Sequence, residues 1–283
     1  MRIVNFETRG VPGIAADEGS GWHGLSQPDR GYPGTLPELI AQGADLLRIG
    51  KTLAQTSAVD LNAVRLLPPV PTPPKILCVG LNYDDHLEES GLKKPEYPEI
   101  FARFASSLIA HQEPIRRPCE STALDYEAEL AVVIGKPGRR IPQEQALDHV
   151  AGYSLFNDAT LRDFQLRTPQ WTMGKNFDGT GSFGPWLVTP DAVPPGAGGL
   201  RIQGRLNGRV MQDSRTDLLI FSVPALIAMI SVAMSLERGD VIITGTPGGV
   251  GAARKPHVYM QPGDISEVEI EGIGILTNPV ENG

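Results

Sequence analysis

A chain of 283 residues with 25 Lys and Arg against 33 Asp and Glu carries a formal charge of −8, which argues against nucleic acid or an anionic membrane as its main partner. No stretch approaches the ~20 apolar residues that span a bilayer, and the opening Met1–Glu7 has no apolar leader core. Two cysteines, Cys78 and Cys119, are too few for a disulfide framework and have no metal-ligand spacing, so a reducing cytoplasm is the expected compartment.

Glycine (32) and proline (25) are abundant without any repeating period, which favours a turn-rich, strand-heavy chain. Residues 2–8 and 11–16 read as a hairpin turning at Arg9-Gly10. Thr35-Leu36-Pro37-Glu38 is a capping box with proline at the helix start, and Leu36, Leu39, Ile40, Leu46, Leu47 and Ile49 carry one helix to about Gly50. Five prolines between Pro68 and Pro74 make a stiff segment that cannot pair as a central strand. The expected division falls there, with a small N-terminal subdomain over 1–70 and a larger domain over 71–283.

Lys75–Val79 reads as a short buried strand leading into Gly80–Gly91, a short helix with Asn82 as N-cap, Asp85 at N3 and Gly91 at its end. His86 and Glu89 are i, i+3 neighbours there. A carboxylate beside an imidazole fixes its tautomer and raises its basicity, as removing a proton from water requires. The same segment also reads as a solvated acidic helix, since Asp84, Asp85 and Glu88 flank the pair. Short and glycine-ended, it could move as a lid.

In Asp125–Gly135, alternation puts Asp125, Glu127 and Glu129 on one strand face, after which Leu130–Ile134 is apolar on both. The acids either edge a wet face or converge on a hard divalent cation, which needs a third acid from elsewhere. Ala151–Asp158 is a second strand ending in an acid. Asp158 is the candidate third ligand, or else Asn157-Asp158 caps a helix over Ala159–Leu166. On such a helix Arg162 and Gln165 would share a face and both could donate to an anion. Lys175 lies in a non-helical stretch and either meets solvent or points at a ligand oxygen.

Gly179–Gly184 matches G-x-G-x-x-G, but no apolar strand precedes it and Pro185-Trp186 stands where a helix should open, so dinucleotide binding is excluded. Asn207-Gly208 signals a type I′ hairpin within Leu200–Met211, and Ser222 caps a buried helix in Phe221–Leu236. The strand Val241–Thr244 empties into Gly245–Gly251, which lacks the Lys-Ser/Thr ending of a phosphate loop. Its amides form a nest for a carboxylate beside the Thr246 hydroxyl, or simply a turn. From Gly263 onward the chain alternates as a terminal strand pair.

These segments resemble, in order, the motifs of the fumarylacetoacetate hydrolase superfamily: Val79-Gly80-x-Asn82-Tyr83-x-x-His86-x-x-Glu89, Asp125-Tyr126-Glu127-x-Glu129-Leu130, Asn157-Asp158-x-Thr160-x-Arg162-x-x-Gln165, Trp171-x-x-Gly174-Lys175 and Thr244-Gly245-Thr246-Pro247-x-Gly249-Val250-Gly251. The resemblance covers about Lys75 to Val280. It implies a strand-rich α+β fold of the mixed β-sandwich roll type, a homodimer, and Mg²⁺ or Mn²⁺ bound by Glu127, Glu129 and Asp158. It further implies a catalytic His86/Glu89 pair on a lid, a site lysine at Lys175, and Arg162, Gln165, Thr246 and Tyr83 facing a small carboxylic acid substrate. Phe101-Ala102-Arg103-Phe104 departs from the family, many of whose members carry a Lys-Pro step there.

The activity expected from that resemblance is metal-assisted hydrolysis of a carbon–carbon bond in an acylpyruvate or fumarylacetoacetate-like acid, with water activated by the His/Glu pair. The alternative is a decarboxylase or keto–enol isomerase on a 2-oxo diacid of the oxaloacetate or 2-hydroxymuconate type, as in aromatic catabolism.

Overall fold

In a computed structural model, which describes residues 1–91 and 93–283, the described strands form one large mixed sheet and a five-stranded sheet packed across a shared core, with a small two-stranded pair beside them. The centre of the large sheet is the strand Ala128–Ile134, with all seven residues buried. It runs antiparallel to Val150–Asp158 on one side and to Val241–Ile243 on the other. Leu130, Val132 and Ile134 pack toward Ile202, Val268, Ile270 and Leu276 of the smaller sheet, whereas Ala131 and Val133 face a second core. The expected apolar dive of this strand into the interior is therefore present on both faces.

Arg2–Thr8 and Val11–Asp17 pair through a turn at Arg9-Gly10 with both residues at positive φ. The proline-rich segment does not divide the sheet. Arg2 and Ile3 pair with Gly181–Val188, and Ile3, Ile14, Leu36 and Leu39 share one core with Cys78, Ala131, Phe156 and Ile243.

The capping box at Thr35 and Glu38 opens α1 (Leu36–Gln42) as expected. The single helix expected to run to Gly50 is instead two, because Gly43 adopts φ 69° and stops α1, and Asp45 then caps α2 (Leu46–Leu53). α3 (Asp84–Ser90) begins from Tyr83 rather than from Asn82. The Asn82 side chain is wholly buried and crosses the fold: it donates to the carbonyls of Thr244 and Phe221 and accepts from the Phe221 amide.

The helix expected over Ala159–Leu166 is reduced to one turn, α4 (Arg162–Gln165), because Thr160 and Leu161 pair as a strand with Leu124 and Asp125. A further turn, α5 (Thr172–Lys175), forms where no helix was expected. α6 (Val223–Ala233) covers the core and ends short of Leu236. The Asn207-Gly208 hairpin forms with φ 52° and 75°, and Gly181–Val188 is a strand rather than a dinucleotide turn.

Candidate active site

Glu127 and Glu129 stand at the N-terminal mouth of the central strand, and Asp158 closes the neighbouring one. One carboxylate oxygen from each lies within 4.8 Å of the others, and all three residues are buried. Like charges held this close out of water require compensation, and the chain supplies three cations. Lys175 donates to Glu127 at 2.7 Å and to Asp158 at 2.6 Å. Arg162 pairs with Glu127 at 2.7 Å, and Arg103 pairs with the far oxygen of Asp158. Glu129 accepts the Gly245 amide at 2.6 Å.

Burial raises the Glu127 carboxyl, but Lys175 and Arg162 outweigh it and the net shift is downward. Burial, then Asp158 and Glu127, hold the Glu129 carboxyl well above the usual range. Lys175 stays cationic: burial lowers it, and Asp158 and Glu127 more than restore it. Three oxygen donors around one point, one of them poorly neutralised by the chain, fit a hard divalent cation better than a soft one. The triad can hold such an ion.

Above this floor is a cavity of about 410 Å³. His86, Glu89, Arg162, Gln165, Lys175 and Thr246 all line it, with Phe101, Leu166, Trp171 and Val250 among its apolar walls. His86 Nδ1 lies 2.7 Å from Glu89 Oε1, so the expected pair forms. Glu89 Oε2 accepts the Gly249 amide at 2.7 Å, which ties α3 to the glycine-rich loop.

The loop's amides hold carboxylates, as expected of a nest, but these are the protein's own. Gly245 binds Glu129, Gly249 binds Glu89, and Gly251 and Ala252 bind Asp125 at 2.7 and 2.9 Å. Asp125 also accepts from Arg162 Nε at 2.8 Å. It is therefore not a third member of an acidic strand face, since the pairing breaks between Asp125 and Ala128.

Arg162 spends one amino group on Glu127 and on Gln165 Oε1, while its other, Nη2, has no partner among the described residues. The two side chains thus bond to each other through Nη1 and Oε1, which leaves Arg162 Nη2 and the Gln165 amide nitrogen as the donors for an anion. The Thr246 hydroxyl donates to the Ala128 carbonyl and accepts from Gln212 at 2.7 Å. Tyr83 does not line the cavity. Its side chain is fully buried, and its hydroxyl has no partner among the described residues.

Arg103 is the site residue that motif reading passed over. The signal was available: alternation in Glu99–Arg103 places it on the face of Phe101, and a charge on an inward face needs a partner. Gln212 carried no such signal, since only the fold brings it to the loop.

Fold and site together define a strand-rich enzyme built around an acidic triad that can hold a divalent cation. The chain belongs to the fumarylacetoacetate hydrolase family: residues 75–281 match the model described as fumarylacetoacetate (FAA) hydrolase C-terminal. It is 40% identical over 99% of its length to the Xenopus laevis protein named oxaloacetate tautomerase fahd2, mitochondrial, covering 90% of that protein. Among solved structures, a fumarylacetoacetate hydrolase from Exiguobacterium antarcticum superposes with a TM-score of 0.85 at 38% identity, each chain covered in full. A 5-carboxymethyl-2-hydroxymuconate delta-isomerase from Mycobacterium smegmatis gives 0.79 at 32%, covering all of this chain and 99% of that one.

The mitochondrial name of the Xenopus relative overturns the cytoplasmic expectation. Scarce cysteines argue only against a disulfide-forming compartment and do not choose among reducing ones.

Proposed function

We propose that the protein is a divalent-metal-dependent keto–enol tautomerase acting on a short 2-oxo diacid of the oxaloacetate type. The observation that carries this reading is a single cavity lined by the convergent carboxylates of Glu127 and Glu129 and by the His86–Glu89 pair. Both oxaloacetate tautomerisation and muconate isomerisation, named for proteins similar over essentially the whole chain, make and reprotonate an enolate.

Glu127, Glu129 and Asp158 would hold Mg²⁺ or Mn²⁺, which when bound would supply Lewis-acid chemistry to a 2-oxo acid. Glu89 accepts from His86 Nδ1, which leaves Nε2 with the lone pair that removes the proton from the carbon beside the keto group. The electron pair of that C–H bond moves onto the 2-oxo oxygen, where the Lys175 ammonium at the cavity floor adds positive charge, and the oxygen then takes the proton back from the His86 imidazolium to complete the enol, the reverse order giving the keto form. Arg162, through its unpartnered Nη2, and Gln165 hold a substrate carboxylate, with Thr246 as a polar part of the wall. The pair of chains expected of the family is proposed as the working assembly, for sedimentation analysis to test.

Carbon–carbon hydrolysis is the second reading, favoured by the Exiguobacterium structure and by a dyad able to activate water. One experiment separates them. With Mg²⁺ present, accelerated loss of enol-oxaloacetate absorbance with keto-oxaloacetate as the only product supports the tautomerase. Two smaller acids from acetylpyruvate support the hydrolase, and CO₂ from oxaloacetate a decarboxylase. Enol decay no faster than with Mg²⁺ alone rules the proposal out.

A further inference from the structure

We propose that Arg103 is a positioning residue for the metal centre, fixing Asp158 so that one oxygen stays turned toward the other two ligands. The inference rests on the reading of the triad as a cation site.

Arg103 ends the edge strand Glu99–Arg103, 55 residues before Asp158, and is 2% exposed. Each of its nitrogens is engaged. Nη1 donates to Asp158 Oδ1 and, at 3.2 Å, to the Ala159 carbonyl. Nη2 donates to the Thr180 hydroxyl at 2.8 Å, and Nε to the Ser107 hydroxyl at 3.2 Å. The guanidinium lies 5.6 Å from the centre of the Phe156 ring, and Gly181 leaves room beside both, since a Cβ there would come within 2.9 Å of Nη2 and 3.0 Å of the Phe156 ring.

This is a slot shaped for a planar fork. A compact ammonium could reach Asp158 but could not bridge Ser107 and Thr180 at the same time. With Oδ1 committed to Arg103, Oδ2 is the oxygen left at the floor, 2.6 Å from the Lys175 ammonium that also touches Glu127. Partners that orient a ligating carboxylate typically govern 10–100-fold in metal affinity.

The test is Mn²⁺ titration calorimetry on the whole chain, with affinity and stoichiometry read separately because a folding defect lowers the second and not the first. Arg103→Gln should raise the Mn²⁺ Kd by about 10–100-fold. Arg103→Lys, which returns the charge without the fork, should fall between it and wild type. Thr180→Val, which loosens the guanidinium without touching Asp158, should raise Kd by less. Unchanged Kd in the folded variants, with Arg103→Lys and Thr180→Val deciding if Arg103→Gln does not fold, overturns the assignment. A wild-type protein that binds no Mn²⁺ overturns the cation reading itself, and this assignment with it.

Discussion

The floor of the cavity and its rim are built in opposite ways. Glu127, Glu129 and Asp158 are each fixed by bonds from separate elements, among them Lys175, Arg162, Arg103 and the Gly245 amide. α3, which carries His86 and Glu89, has Asp84, Asp85 and Glu88 in solvent; Leu87 is buried beneath it, and Glu89 is tied to Gly249. The contrast teaches where each half of the chemistry is kept. On the proposed reading, charge stabilisation, which needs donors and ligands that do not reorganise, sits in the core. The base that must approach and leave a substrate sits, on the same reading, on α3, whose outer face is in solvent.

The contrast breaks most directly at Asp158. Asp158→Ala leaves Arg103 and Lys175 buried without their shared partner, and should cost about 3–5 kcal/mol of stability in urea unfolding along with Mn²⁺ binding. A loss typical of a surface substitution would show that the floor is not over-determined. At the rim, His86→Ala should lower kcat by about 10²–10⁴-fold with the Mn²⁺ Kd unchanged. Stability should move by no more than ~0.5 kcal/mol, and a large loss of metal affinity would place His86 in the floor.

Chelation sharpens the same division. An ion present at a hundred times its Kd adds about 2.7 kcal/mol, which EDTA should remove from wild type and from His86→Ala but not from Asp158→Ala.

A half-buried histidine away from both regions calibrates acid scans of either. His111 lies outside the cavity lining, and burial pushes its imidazole from 6.5 to about 4. Between those values the unfolded chain holds the extra proton. The stability from keeping His111 neutral is therefore full above pH 6.5 and drains away as pH falls toward 4. His111→Gln should flatten that limb of the stability curve and leave the pH profile of kcat/KM unchanged.

What the sequence determined is whatever depends on spacing along the chain. The His86/Glu89 pair, the capping box at Thr35, the Asn207-Gly208 turn and the burial of Leu130–Ile134 all follow from helical and strand periodicity, and all are present. The ordered motifs likewise carried the family and pointed to the three acids that converge, because those residue types recur in order along the chain.

Only the tertiary structure decided which partner each buried polar group would take. Asn82 reads locally as a helix cap and is instead a cross-link, Asp125 reads as one of three stacked acids and is instead the clasp of Arg162 and the loop, and Tyr83, which the resemblance turns toward substrate, is instead core. The glycine-rich loop reads as a receptor for substrate, yet its amides reach Glu129 and Glu89 across 116 and 160 residues of sequence. A buried donor or charge must be satisfied by whatever lies within about 3 Å of it, and that neighbour is set by how the sheets stack rather than by position along the chain.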